Sequence, residues 1–116
     1  MLILYAAYVE GDVQLVGGTS GGEGRVEVYL NGVWGTVCDN NWDINDATVV
    51  CEQLGHFTAV SAHGGAYFGE GSGPIWYDNV DCVGNEANIT LCSHSGIGVH
   101  NCTHSQDAGV VCTSKL

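Results

Sequence analysis

Basic side chains are almost missing from this sequence of 116 residues, which contains one arginine, Arg25, and one lysine, Lys115. Thirteen acidic residues oppose them and give a formal net charge of -11 at pH 7. A surface of this sign repels phosphate backbones, so we expect no direct nucleic-acid binding. It attracts metal cations or basic patches on a protein partner, although excess carboxylate also serves solubility alone.

Long hydrophobic runs are missing too. No apolar stretch approaches the roughly 20 residues that a membrane-spanning helix requires. The apolar start, MLILYAAYV, is too short and lacks the basic residues of a secretory signal. We interpret residues 1–11 as a truncated leader, a cloning remnant or a terminal strand, and residues 12–116 as one domain. We expect no membrane insertion by this segment.

The sequence has no Cys-x-x-Cys pair, the usual sign of a reduced zinc module, although it contains six cysteines. The cysteines are Cys38, Cys51, Cys82, Cys92, Cys102 and Cys112. An even number without such pairs favours three disulfides and an oxidising, extracellular environment. Spacing alone leaves many pairings open.

Two glycosylation sequons agree with a secretory route. They begin at Asn88, in Asn-Ile-Thr, and at Asn101, in Asn-Cys-Thr. Such tripeptides also occur by chance, and a bridged neighbour would disfavour Asn101. We name both asparagines as candidate glycosylation sites.

Hydrophobic periodicity predicts one helix among short strands. Residues 25–30 alternate as a half-buried strand, and Asn31-Gly32 after them predicts a tight hairpin with residues 33–37. Residues 43–54 carry apolar positions at helical spacing, with Asp43 or Asn45 as the cap and Gly55 as a left-handed terminator. Further strands are predicted at residues 12–16, 57–61, 75–80 and 109–112, and residues 64–73 form a glycine-rich loop.

The order of several motifs resembles the scavenger receptor cysteine-rich family over residues 12–113. The motifs are GRVEV at 24–28, WGTVCD at 34–39, VVC at 49–51, FGEGSGPI at 68–75, DNVDC at 78–82 and DAGVVC at 107–112. The resemblance implies an α+β fold in which a curved antiparallel β-sheet cradles one α-helix. It also implies the group A disulfides Cys38–Cys102, Cys51–Cys112 and Cys82–Cys92.

The resemblance implies an extracellular ligand-recognition module of a secreted or cell-surface protein. Family members bind microbial surfaces, polyanions or protein partners, several of them with Ca²⁺. This chain lacks the arginines with which basic members capture polyanions, so we expect polyanion binding only if Ca²⁺ bridges the ligand. The alternative is a structural or assembly module of a larger secreted protein, which mediates protein association without metal.

Two calcium sites are implied by the resemblance, and both depart from the family pattern. The first corresponds to Asp39, Asn40 and Gln106, where two of three carboxylates have become amides. The second corresponds to Asp78, Asn79 and Asn101, where one carboxylate has become an amide. Amide oxygens can still ligate Ca²⁺ but add no charge, so each replacement weakens cation attraction.

Aromatic residues offer candidate ligand anchors. We expect Trp34 and Trp42 to belong to the core because both lie near Cys38 and within or beside predicted elements. Trp76 and Tyr77 follow the glycine-rich loop and are the candidate ligand-binding residues.

Catalytic chemistry is not indicated. Gly71-Ser72-Gly73 is not a nucleophile elbow, and no cysteine is left over as a nucleophile. Histidines follow Cys92 and Cys102 at short spacing, but zinc would need reduced thiolates. We expect a binding module rather than an enzyme.

Overall fold

Residues 7–55 and 57–113, which the computed structural model describes, form one helix, six strands and two single-turn 3₁₀ helices. The strands are β1 Val13–Gly17, β2 Glu23–Leu30, β3 Val33–Val37, β4 Thr58–His63, β5 Ile75–Tyr77 and β6 Gly109–Thr113. The helix α1 spans Ile44–Gly55, and the 3₁₀ turns span Ile89–Leu91 and His104–Gln106.

Strand β2 is the centre of the sheet. The strands follow the order β4-β6-β2-β3-β5, and β1 pairs along β2. All pairings are antiparallel except that of β3 with β5, which is parallel. The chain between β3 and β5 passes through α1 and β4, the kind of long crossover that a parallel pair requires. The expected fold of one helix on a curved sheet is confirmed, with a mixed rather than a purely antiparallel sheet.

The β2–β3 hairpin turns at Asn31-Gly32, as predicted. Both residues have positive φ, 52° and 78°, as a type I′ turn requires. The turn fixes the register, so Leu30 pairs with Val33 and Tyr29 with Trp34. Tyr29 and Trp34 therefore share the outer face of the sheet, opposite the face that carries Val28 and Leu30 into the core.

Two aspartates secure the start of α1. The Asp43 carboxylate accepts hydrogen bonds from the backbone N–H groups of Asn45 and Asp46, so Asp43 and not Asn45 is the cap. Asp46 is fully buried and accepts from the N–H groups of Asp43 and Cys82. Gly55 ends the helix at a φ of 152°, which is positive but outside the left-handed helical region expected for it.

The core is aliphatic and held by three disulfides. Val26, Val28, Val50 and Val110 are fully buried between the sheet and the helix. The disulfides are Cys38–Cys102, Cys51–Cys112 and Cys82–Cys92, which confirms the implied pairing. In the loop-entropy model, each disulfide that closes one of the two long loops stabilises the fold by about 4 kcal/mol, and the disulfide that closes the short loop stabilises it by about 3 kcal/mol.

Among the described residues, α1 falls short of the length and apolarity needed to span a bilayer.

Gly35 in β3 is required by a close approach. A Cβ there would lie 2.6 Å from Trp76 Nε1 and 2.9 Å from the Pro74 carbonyl oxygen. We expect Gly35→Ala to displace β5 and lower the free energy of unfolding by about 2 kcal/mol. Urea unfolding measures this, with Gly21→Ala as control because no atom lies within 4 Å of the added Cβ. Equal stability of the two variants would contradict the packing described.

Candidate functional site

The loops that carry the six candidate calcium ligands meet around the Cys38–Cys102 disulfide. Asp39 follows the first cysteine and Asn101 precedes the second. A carboxylate oxygen of Asp78 and the two disulfide sulfurs lie within 4.8 Å of one another. The structure therefore brings residues of both family sites close to one disulfide.

Side chains of the first site are engaged with backbone groups. Asp39 Oδ2 accepts a hydrogen bond from the N–H of Gly65 at 2.7 Å. The amide oxygen of Gln106 accepts from the Thr103 N–H at 3.3 Å and closes the 3₁₀ turn instead of pointing to Asp39. Asp39 and Gln106 do meet, but through a backbone hydrogen bond of 2.9 Å.

The second site is organised by a buried carboxylate. Asp78 is 4% exposed, and its Oδ1 accepts from the Asn79 N–H at 2.8 Å and from Asn40 Nδ2 at 3.1 Å. Asn79 Oδ1 accepts from Asn41 Nδ2 at 3.0 Å. Asn40, assigned to the first site, thus binds the carboxylate of the second.

These donor sets do not meet the needs of Ca²⁺ in this arrangement. Calcium takes six to eight oxygen ligands, usually with several carboxylates. Asp39 and Asp78 are the only carboxylates among the six residues, and each already has an oxygen bonded to N–H donors. Asn40 directs an amide N–H, and not its amide oxygen, at Asp78. Calcium binding remains a prediction from the family resemblance.

Sulfur-containing clusters do not form a metal site either. Within the described residues, Asp78 lies by Cys38 and Cys102, and Glu86 lies by Cys82 and Cys92. Both cysteine pairs are disulfides. Oxidised sulfur lacks the thiolate charge that zinc requires, so these clusters have a structural role.

A polar cleft of about 670 Å³ opens beside the second site. Its lining residues are Asn41, Trp42, Asp43, Asn79, Asp81, Ser93, His94 and Ser95. Two carboxylates and no arginine or lysine line it. His94 Nδ1 accepts a hydrogen bond from the Gly96 N–H, and burial lowers the His94 pKa, so the imidazole is neutral. The cleft is therefore negative at neutral pH.

The aromatic residues are arranged differently from the expectation. Tyr77 is 2% exposed within the core, so its side chain is not at the surface, and ligand binding by Trp76 or Tyr77 remains a prediction. Trp76 is half-buried against the core and donates its indole N–H to the Val33 carbonyl. Trp42 packs on the core as expected, whereas Trp34 lies on the outer face of the sheet with Tyr29. The hairpin register, counted outward from Asn31-Gly32, was the sequence signal for this outer pair.

The candidate glycosylation sites differ in access. Asn88 is half-buried, and its Oδ1 accepts hydrogen bonds from the N–H and hydroxyl of Thr90. Asn101 is exposed beside the Cys38–Cys102 disulfide. The Asn101 side chain is the more accessible, and glycosylation at either residue remains a prediction.

A family model described as "Scavenger receptor cysteine-rich domain" matches residues 16–113. The chain belongs to the scavenger receptor cysteine-rich (SRCR) family. A "Scavenger receptor cysteine-rich domain superfamily protein" of Patiria pectinifera is 55% identical over 106 residues. That alignment covers 91% of this chain and 9% of the relative, so the SRCR domain spans about a tenth of that protein.

Solved SRCR structures share the fold. The third SRCR domain of murine neurotrypsin is 50% identical with a TM-score of 0.81, covering 90% of this chain and 98% of the other. The dimeric form of the mouse MARCO SRCR domain is 50% identical with a TM-score of 0.74, covering 87% and 94%. SRCR domains are disulfide-rich extracellular recognition modules, and this chain has their fold and disulfides.

His104 anchors the 3₁₀ turn that carries Gln106. Its Nδ1 lies 3.0 Å from a carboxylate oxygen of the buried Asp107, and its Nε2 lies 3.0 Å from the Gly73 carbonyl oxygen. Both partners only accept, so the ring donates twice when it is protonated. Burial lowers the His104 pKa, but the hydrogen bonds to Gly73 and Asp107 and the charges of Asp107 and Glu70 outweigh it and raise the pKa above 6.5.

We expect this pair to make stability depend on pH. Because the folded pKa is raised, the contribution of His104 is complete below pH 6.5, the unfolded value, and is lost as pH rises through the folded pKa. As the pH is raised from below 6.5 through the folded pKa of His104, this contribution should lower the urea unfolding midpoint of the wild type. The midpoint of His104→Gln should decrease less over the same pH range. His63→Gln is the matched control, since His63 hydrogen-bonds the neutral Ser61 hydroxyl. An unchanged slope in His104→Gln would contradict the assignment.

Proposed function

We propose that this SRCR domain is an extracellular recognition module that binds the cationic surface of a protein partner through its acidic loops, without requiring Ca²⁺. The sequence predicted a ligand-recognition module, with a metal-free assembly module as the alternative. The proposal combines the ligand recognition of the first with the metal independence of the second. The observation that carries it is the charge balance: the described residues contain one arginine and no lysine.

That single cation is not available to an anionic ligand. Arg25 Nε donates to Glu27 Oε2 at 3.0 Å, and its guanidinium also donates to the Gly69 carbonyl. The side chains of Arg25 and Glu27 are 11% and 13% exposed. The pair is therefore part of the fold, and a polyanion would meet a surface without a free arginine or lysine among the described residues.

The acidic loops offer the opposite complementarity. Asp43 and Asp81 are exposed at the polar cleft, and Asp39 lies nearby on the loop after Cys38. With the whole chain at a formal charge of -11, these carboxylates attract basic groups and accelerate their encounter. This favours a basic protein surface over sulfated or phosphorylated polymers, which would need a bridging cation.

Calcium titration and heparin chromatography test the metal independence. We expect no calorimetric heat and no thermal stabilisation at millimolar Ca²⁺, because N–H donors already bind the candidate carboxylates. We expect no retention on heparin with or without Ca²⁺. Heat of binding together with calcium-dependent heparin retention would instead establish calcium-bridged recognition of polyanions, including those of microbial surfaces.

A second measurement tests the acidic loops. The domain should bind immobilised poly-L-lysine with an affinity that falls steeply with salt, and Asp43→Asn with Asp81→Asn should weaken it several-fold. Glu23→Gln and Glu70→Gln together remove the same charge away from the cleft and serve as the control. An equal loss of poly-L-lysine affinity in both double variants would show that net charge alone attracts the ligand. That result would overturn the assignment of binding to the acidic loops.

A further inference from the structure

Three aromatic rings meet on the outer face of the sheet. The ring centroids of Tyr8 and Trp34 are 5.1 Å apart, those of Tyr29 and Trp34 5.2 Å, and those of Tyr8 and Tyr29 5.5 Å. We call Tyr8, Tyr29 and Trp34 the aromatic platform. It lies outside both family calcium sites and the polar cleft.

Backbone pairing holds the platform together. The hairpin register places Tyr29 opposite Trp34. The segment before β1 then runs beside β2, where the Gly11 N–H donates to the Tyr29 carbonyl at 2.8 Å and the Tyr29 N–H donates to the Asp12 carbonyl at 2.9 Å. This pairing brings Tyr8 over the hairpin with 55% of its surface exposed. Residues 8–11 thus lie against the domain, and the role of residues 1–11 as a whole remains a prediction.

Trp34 differs from the other two tryptophans in its hydrogen bonding. The indole N–H groups of Trp42 and Trp76 donate to the carbonyls of Gly109 and Val33, both at 3.0 Å. Within residues 7–55 and 57–113, the Trp34 indole has no such acceptor. Buried tryptophans usually have one, so a half-buried Trp34 without one fits a ring kept at the surface.

Negative charge borders the platform. Glu10 Oε1 accepts from the Asn31 N–H at 2.6 Å, and Asp12 Oδ2 accepts from the Val9 N–H at 3.0 Å. These donors are neutral, and the one arginine of the described chain is bonded to Glu27. The charges of Glu10 and Asp12 therefore remain uncompensated by any described arginine or lysine beside the rings.

We propose that the aromatic platform docks arginine side chains of a basic segment in a partner protein. This inference rests on the proposed function, because it names where the cationic partner makes specific contact. A guanidinium stacks on aromatic faces and is attracted by their π-electrons, most strongly by tryptophan. The negative charges of Glu10 and Asp12 also attract the guanidinium. A second copy of the chain is disfavoured as the occupant because each copy carries a formal charge of -11.

Binding of a hexa-arginine peptide tests the platform, with hexa-citrulline as the uncharged counterpart of the same shape. We expect Trp34→Ala and Tyr8→Ala each to weaken hexa-arginine binding about three-fold or more. Trp34→Phe should retain part of the affinity. Tyr67→Ala is the control, because Tyr67 is an even more exposed tyrosine than Tyr8, 67% exposed, and stacks on His63 of β4 instead. It should leave the affinity unchanged.

Indole N–H resonances supply a second readout. The Trp34 signal, identified by its loss in Trp34→Phe, should shift on addition of hexa-arginine and not of hexa-citrulline. The Trp42 signal should stay in place, because its N–H is bonded inside the fold. Thermal unfolding of each variant verifies folding, and Tyr8→Ala is the less disruptive change since Tyr8 precedes the sheet.

The outcomes separate the two proposals. Failure of the wild type to bind hexa-arginine would overturn the proposed function and the platform together. The platform alone would be overturned if the wild type binds hexa-arginine and neither Trp34→Ala nor Tyr8→Ala loses affinity. An equal loss of affinity in Tyr67→Ala would overturn it too. Equal binding of hexa-citrulline would show that the rings recognise shape and not charge, and would also overturn the arginine assignment.

Discussion

Covalent closure of the chain by three disulfides is the constraint on which the structure depends. Eighteen glycines reduce the number of side chains that can fill a core, and valine is the commonest of the buried hydrophobic residues. Cys51–Cys112 fixes α1 to β6, and Cys38–Cys102 joins the end of β3 to the loop before the second 3₁₀ turn. Because these links determine where the loops lie, they also place the acidic side chains that a partner meets.

At the family's calcium positions, side-chain amides stand where the family pattern has carboxylates. Asn40 donates to Asp78, and the Gly65 N–H donates to Asp39, so both carboxylates have N–H partners without a metal. A hydrogen bond to a carboxylate offsets part of its desolvation cost. These hydrogen bonds give the two carboxylates partners that need no bound cation, which supports the proposed metal independence.

The two surfaces proposed to bind positive charge differ in chemistry. The cleft at Asp43 and Asp81 is polar and concave, whereas the aromatic platform is apolar and bordered by Glu10. Carboxylates in loops provide long-range attraction that salt screens, and aromatic faces provide short-range contact that salt affects little. Together they would give a basic partner both fast encounter and a defined point of attachment.

Local patterns were sufficient to determine much of this protein from its sequence. Alternation predicted β2, Asn31-Gly32 predicted the hairpin, helical spacing predicted α1, and the family motifs implied all three disulfides. Each depends on residues close in the chain or on a conserved arrangement of motifs. Tertiary structure alone decided that Tyr77 is buried, that Tyr8 packs against Trp34, and that Asn40 donates a hydrogen bond to Asp78. These contacts join residues distant in sequence, and side-chain burial depends on which segments cover them, a property that no local pattern contains.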